Sequence, residues 1–241
     1  MPTTPSLLLA SASPRRRRLL AWLGLPYRVC ATDTPEEMDG PLAADPPALA
    51  SALATEKAEA ARWAAGAHTG PGEGPLVIAC DTIVVLDDEV LGKPRDLDEA
   101  RRMLRALSGR THHVVTGVAL LWPRADKPAT FPVTTPVLMR TLSDEDIRRW
   151  SAKGELLGCA GAYNIESHLA SVALDQCFQN VAGLPLCHLF AALRAGGLSE
   201  AQPPACACDA ARAVTCELGP RLMAPFLSGE ENTEADTCSR T

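Results

Sequence analysis

Aromatic side chains are scarce: Phe, Trp and Tyr make up only 4% of the 241 residues. The hydrophobic share is nonetheless 46%, so the core is expected to be mostly aliphatic. Long apolar runs are missing too. Leu7–Ala10 is far shorter than the roughly 20 residues of a membrane span, and its charges follow it instead of preceding it, which argues against a signal peptide. There is no basic excess: 23 Lys and Arg stand against 29 Asp and Glu, a net charge of −6. Bulk electrostatics would not hold such a chain on nucleic acid, and the Arg15–Arg18 run lacks interleaved aromatics. An anionic ligand has to be caught by a local basic cluster.

No CxxC pair occurs, and the nine cysteines are odd in number and scattered, as expected for reduced thiols in a cytoplasmic protein. Cys206 and Cys208 lie close together but lack the second pair that a zinc site needs. The five histidines show no metal spacing. Neither a Walker A sequence nor GxGxxG is present, so the two commonest phosphate loops are not supported.

What is there reads as alternating short elements. Leu7–Ala10 is a buried strand. Ser13 and Pro14 suit the N-cap and first turn of a helix running from Arg15 to Leu23, with Gly24 as its stop. Tyr27–Cys30 is a second strand, residues 33–45 a loop, and Pro46–Ala65 an Ala-rich helix. Residues 66–75 form a turn. Leu76–Leu86 is the strongest strand, with 87–89 turning into Val90 and Leu91. Asp96 caps a helix through Leu107. Val114–Trp122 and the alternating 133–140 are further strands, the latter near a sheet edge because of Pro136. Ser143 caps a short helix to about Ala152, and Pro185–Ala195 is the last clear helix. Strands and helices mix without strict alternation, which predicts an α/β fold with a mixed sheet. Residues 1–197 are expected to form one domain. Residues 198–241 hold seven acidic and three basic side chains and read as an acidic, partly disordered tail with a short helix near 206–217.

Three constellations could carry chemistry. Ser11, Ser13 and four arginines surround a helix N-terminus, whose free N–H groups and dipole attract phosphate; an ordinary capped helix with a solvated basic face competes evenly with that reading. Asp81 interrupts an apolar strand, where an unpaired carboxylate is costly, so it should bind a metal, pair with a base or act as one. Lys93 sits in a stiff Gly92-Lys93-Pro94 turn and could meet a phosphate, although taken alone it is a surface lysine. Glu36, Glu37 and Lys57 are weaker: loop carboxylates and a lysine in an Ala-rich helix ordinarily face water.

Together the segments LLLASASPRRRRLL (7–20), EKA (56–58), ACDTIVVLDDEVLGKP (79–94), ARRMLRALSGRTHHVVTGVAL (100–120), GCAGAYNIES (158–167) and NVAGLPLCHL (180–189) resemble the Maf family of nucleoside triphosphate pyrophosphatases. The resemblance implies a two-lobed, mixed-sheet, ITPase-like α/β fold with a deep cleft, often dimeric. It implies hydrolysis of a nucleoside triphosphate to monophosphate and pyrophosphate with a divalent cation, Mg²⁺ or Mn²⁺. Asp81 matches the family's proton acceptor, and Ser11, Arg15, Arg16, Glu36, Lys57 and Lys93 its polar cleft residues. Glu36 and Asp81 would hold the metal. Arg15, Thr82 and Glu166 fall where the family tunes substrate choice. One departure concerns Glu166: the dTTP/UTP branch has Gln in this frame, and an ionised Glu accepts hydrogen bonds without donating any. The base therefore stays open between dTTP or UTP and other or modified nucleotides. A non-catalytic role in septum formation is the alternative of another class.

Overall fold

The computed structural model describes residues 5–66 and 74–227. Most of the turn expected at 66–75, and the end of the tail, lie outside the described residues. Seven strands form one mixed sheet: β1 (Leu7–Ala10), β2 (Tyr27–Val29), β3 (Leu76–Leu86), β4 (Glu89–Leu91), β5 (Thr111–Leu121), β6 (Ala129–Met139) and β7 (Ala170–Ser171). Their order is β2-β1-β3-β5-β6-β7, with β4 also paired to β3. β1 runs parallel to both neighbours, and the remaining pairs are antiparallel.

Side-chain alternation along β3 divides the core in two. Leu76, Ile78, Cys80, Val84 and Leu86 belong to the larger cluster, with Leu19, Leu20 and Leu23 from the segment after β1 and Leu104, Leu189 and Phe190 beyond them. Val77, Ala79, Ile83 and Val85 face the other way, against Leu49, Ala50, Leu53, Ala54, Ala58 and Ala61 of helix α2 (Pro46–Ala64). Small Ala side chains let α2 lie close to the sheet. Gly117 on β5 is the tightest point, because a Cβ there would stand 2.1 Å from the Ala50 carbonyl oxygen.

The sheet has a notch. β1 ends at Ala10, opposite Ala79, and β4 begins to pair only at Val84. Between them one edge of β3 has no strand neighbour, while β5 covers the other edge continuously from Val77 to Val85. Helix α1 (Pro14–Ala21) starts at the end of β1, with the Ser13 side chain accepting the Arg16 N–H as an N-cap. Gly24 follows in the left-handed region at φ 67°, as a helix stop requires.

Some boundaries differ from those read off the sequence. β6 begins at Ala129, four residues before the alternation is visible, and takes in Pro132 as well as Pro136. Both prolines fit because β7 covers the outer edge of β6 only at Leu138 and Met139. Helices α3 (Leu97–Leu107), α4 (Asp144–Ser151) and α6 (Leu186–Ala195) lie where caps and periodicity put them; a short α5 (Phe178–Val181) was not anticipated. Nor was the tail one short helix. It forms α7 (Ala205–Arg212) and α8 (Leu218–Leu227), with Met223 buried in the main core and the Phe226 carbonyl bonded to Arg194 at 3.0 Å. The eight described cysteines are free thiols. Burial pushes Cys177 up to about 12 and raises Cys187 and Cys208 as well, so these thiols stay protonated where the tail meets the body. No described helix is long and apolar enough to cross a membrane.

Candidate active site

The notch opens into a cleft of about 770 Å³. Its floor is the unpaired stretch of β3. One wall is the β1–α1 junction, another the segment 155–166, and Val181–Gly183 close the end. Because Asp81 is an odd position on β3, it points to the α2 side; Thr82 points to the other. That one-residue step separates two networks.

On the α2 side Asp81 is 3% exposed and pairs through Oδ1 with Lys57. Lys57 also donates to Glu36 Oε1 at 2.8 Å, and Lys93 reaches the same oxygen at 2.6 Å. The four groups form a chain of alternating charge from the floor to the rim. Desolvation acts to raise the Glu36 carboxyl, but hydrogen bonds from Lys57 and Lys93 and their charges outweigh it, lowering it from 4.5 to about 2. Glu36 is thus ionised at neutral pH. Asp81 Oδ2 is different: it is buried and has no hydrogen-bond partner. A buried carboxylate oxygen is rarely left so without a functional reason.

On the opposite side Arg16 is spent within the protein. Nε donates to the Gly183 carbonyl at 2.8 Å, Nη1 to the Cys80 carbonyl at 2.8 Å and to Ser11 Oγ at 3.5 Å, and Nη2 to Thr82 Oγ1 at 2.9 Å. The Cys80 carbonyl belongs to the open edge of β3, so Arg16 takes the place of a missing strand there. Thr82 also shares a 2.9 Å bond with Thr116, and Thr116 donates to the Asn180 carbonyl at 3.1 Å. Arg15, one residue earlier on α1, lines the cleft and has no acceptor among the described residues. At the rim Arg18 pairs with Glu166 across the cleft.

The residues that the family resemblance marked, Ser11, Arg15, Arg16, Glu36, Lys57, Asp81, Thr82, Lys93 and Glu166, line this one cleft, whereas Arg17 and Glu37 do not. The profile of the Maf-like proteins matches residues 6–196.

The chain belongs to the Maf family.

Three similar relatives bear one name. A protein called dTTP/UTP pyrophosphatase from Pelotomaculum thermopropionicum is 42% identical over 76% of this chain and 92% of its own. Another of that name from Geobacter sulfurreducens is 42% identical over 78% and 95%, and one from Bacillus velezensis 39% over 79% and 96%. Among solved structures the Ham1 protein of Staphylococcus aureus is similar at a TM-score of 0.38 and 16% identity, over 56% of this chain and 71% of that one.

Two expectations about this Maf chain needed the structure. Lys57, which its helix alone would leave facing water and the resemblance put in the cleft, is 9% exposed, because α2 docks its Ala-rich face on the sheet and carries the ammonium to Asp81. Arg16, read with Arg15 as a phosphate ligand, is turned to protein acceptors. Of the other participants, Asn180 and His112 were missed. Asn180 is fully buried and its amide donates to the Val114 and Val133 carbonyls at 3.1 and 3.0 Å and to Thr135 Oγ1 at 3.1 Å, tying the Val181–Gly183 wall to β5 and β6. Tyr163 lines the cleft with its hydroxyl 2.7 Å from His112 Nε2. Burial lowers that imidazole from 6.5 to about 4, so it is neutral at physiological pH. The only outward sign of Asn180 in the sequence was its place in the NVAGLPL segment. His112 gave none, since a lone histidine opening a strand is ordinarily structural.

Proposed function

We propose that this Maf protein is a pyrophosphatase that hydrolyses a nucleoside triphosphate, UTP or dTTP by preference, to the monophosphate and pyrophosphate. The observation that carries the reading is Asp81 Oδ2, a buried, unpartnered carboxylate oxygen on the floor of a cleft lined by Arg15, Lys57 and Lys93. Family membership and the shared name of the relatives support the reaction class and the base.

The triphosphate lies over the basic end. Arg15 is free to take phosphate oxygens at the start of α1, and Lys93 gives a flexible point charge at the rim. Asp81 Oδ2 accepts the proton of the water that attacks the phosphoryl group. Lys57 fixes the other oxygen of Asp81 and keeps it from rotating away. As negative charge grows on the phosphates, the same cations stabilise it in place.

A divalent cation fits this donor set. Asp81 and Glu36 already share one positive centre, the Lys57 ammonium, and both lysines bond Glu36 through Oε1, which leaves Glu36 Oε2 for a cation. Among the described residues no group of three or more His, Cys, Asp or Glu is arranged as a metal cage. The two carboxylates suit a hard cation that brings its other oxygens from phosphate and water, as Mg²⁺ or Mn²⁺ does with nucleotides. When bound it would supply charge neutralisation and a more acidic water. We place the protein in the cytoplasm, consistent with its free thiols.

The test is chromatography of products from UTP, dTTP, CTP and GTP with Mg²⁺. Monophosphate and pyrophosphate are expected; diphosphate and orthophosphate from wild type would refute the reaction.

A further inference from the structure

The far wall of the cleft holds Glu155, Asn164 and Glu166, and the cation beside it is Arg18. Arg15, Lys57 and Lys93 draw the triphosphate to the other end, so the neutral base belongs at this one. There Arg18 Nη2 donates to Glu166 Oε1, joining residues 148 positions apart. Both lie on ordered backbone. Arg18 is in α1, and Glu166 is in the turn Ile165–Ser167, where its N–H donates to Asn164 Oδ1 at 3.1 Å. The side chains are 51% and 34% exposed, a degree at which ion pairs do little for stability. A pair that contributes little to folding yet spans the mouth of the site has a reason to be there if it meets the substrate.

We infer that Arg18 and Glu166 act as one unit that reads the pairing edge of uracil or thymine. The inference rests on the pyrophosphatase reading above. Uracil and thymine present a carbonyl acceptor, O4, beside a donor, N3–H. Glu166 alone has acceptors only and would repel O4. Paired with Arg18 it keeps Oε2 to accept N3–H, while Arg18, with five N–H donors, has others to offer O4. The pair thus presents one donor and one acceptor side by side, as a single carboxamide would. It differs from a carboxamide in one respect. A glutamine can rotate and exchange its two ends, whereas the order of the ion pair is set by the elements that bear it. Cytosine, with a donor at N4 and an acceptor at N3, opposes both members in that order. Arg18 is therefore a specificity residue for the base.

The experiment measures kcat/KM for UTP, dTTP and CTP with wild type, Arg18→Ala, Glu166→Gln and the double variant, each checked for an unchanged melting temperature. With Arg18→Ala the preference for UTP over CTP should fall by about tenfold or more, because a bare carboxylate faces O4. In the Glu166→Gln background the same substitution should change that preference by less than about twofold, since Gln needs no partner to donate. Equal losses for UTP and CTP would make Arg18 a phosphate contact and overturn the inference, as would independent effects of the two substitutions. If wild type hydrolyses none of the nucleotides, the pyrophosphatase reading itself fails, an outcome distinct from either.

Discussion

Gly117 lies directly opposite Asp81 across the β3–β5 ladder, and its missing side chain is what admits the backbone of α2 at Ala50. The consequence reaches the chemistry. α2 carries Lys57, and only a helix seated this close can bring that ammonium to a carboxylate on the sheet. Gly117→Ala should therefore lose stability by about 1–3 kcal/mol, as overpacking does, and should also lower kcat by loosening the Lys57–Asp81 pair. Denaturant unfolding and steady-state kinetics on the same preparation check both. Wild-type activity in a destabilised Gly117→Ala would separate the packing from the site.

The two members of that pair are not equivalent. Lys57 has Glu36 as a second partner, whereas Asp81 has no other side-chain partner. Lys57→Met should cost about 3 kcal/mol because it strands a buried carboxylate. Asp81→Asn should cost much less. Adding Asp81→Asn to Lys57→Met should recover a good part of the loss in a double-mutant cycle. Additive losses would mean that the pair is not coupled as its geometry implies.

Arg16→Lys should behave as a severe change. A lysine cannot span Gly183, Cys80, Ser11 and Thr82 at once, so the open edge of β3 and the end wall lose their common tie. Turnover of every nucleotide should fall together, with the base preference kept. A selective loss for one base would show that Arg16 reads substrate directly.

Acid should weaken the fold through His112. Its folded value of about 4 lies below the ordinary 6.5, so the unfolded chain binds the proton more readily. That contribution is complete above pH 6.5 and is lost as pH falls from 6.5 towards 4, up to about 3 kcal/mol by linkage. His112→Gln should flatten the stability profile across that window. A profile of unchanged slope in the variant would assign the acid sensitivity to other groups.

The parts of this molecule that were legible before the structure are those whose signal is local. β3 is an apolar run, and Asp81 stands out in it as a charge that must be explained. Ser13 and Pro14 mark the start of α1 by cap chemistry alone. Lys57 was legible only through the family resemblance, because an Ala-rich helix shows no contrast between faces until Gly117 and the small side chains dock it on the sheet. The four consecutive arginines were equally opaque. Helical rotation turns Arg16 to the sheet, Arg15 into the cleft and Arg18 to the rim, and no composition or spacing tells them apart. α8 was hidden by Gly219, Pro220 and Pro225, which read as breakers although the segment packs on the core through Met223.

The most direct measurement is the rate and product of UTP hydrolysis by purified Asp81→Asn beside wild type, with both shown to be folded by their melting curves. Asparagine keeps the size of the side chain and a hydrogen-bond acceptor for Lys57, but it loses the carboxylate charge and the basicity that accepts a proton. Wild type should release UMP and pyrophosphate, and the variant should be slower by about a hundredfold or more. A folded Asp81→Asn that turns over UTP at a near wild-type rate would contradict the assignment of Asp81 as the centre of the site.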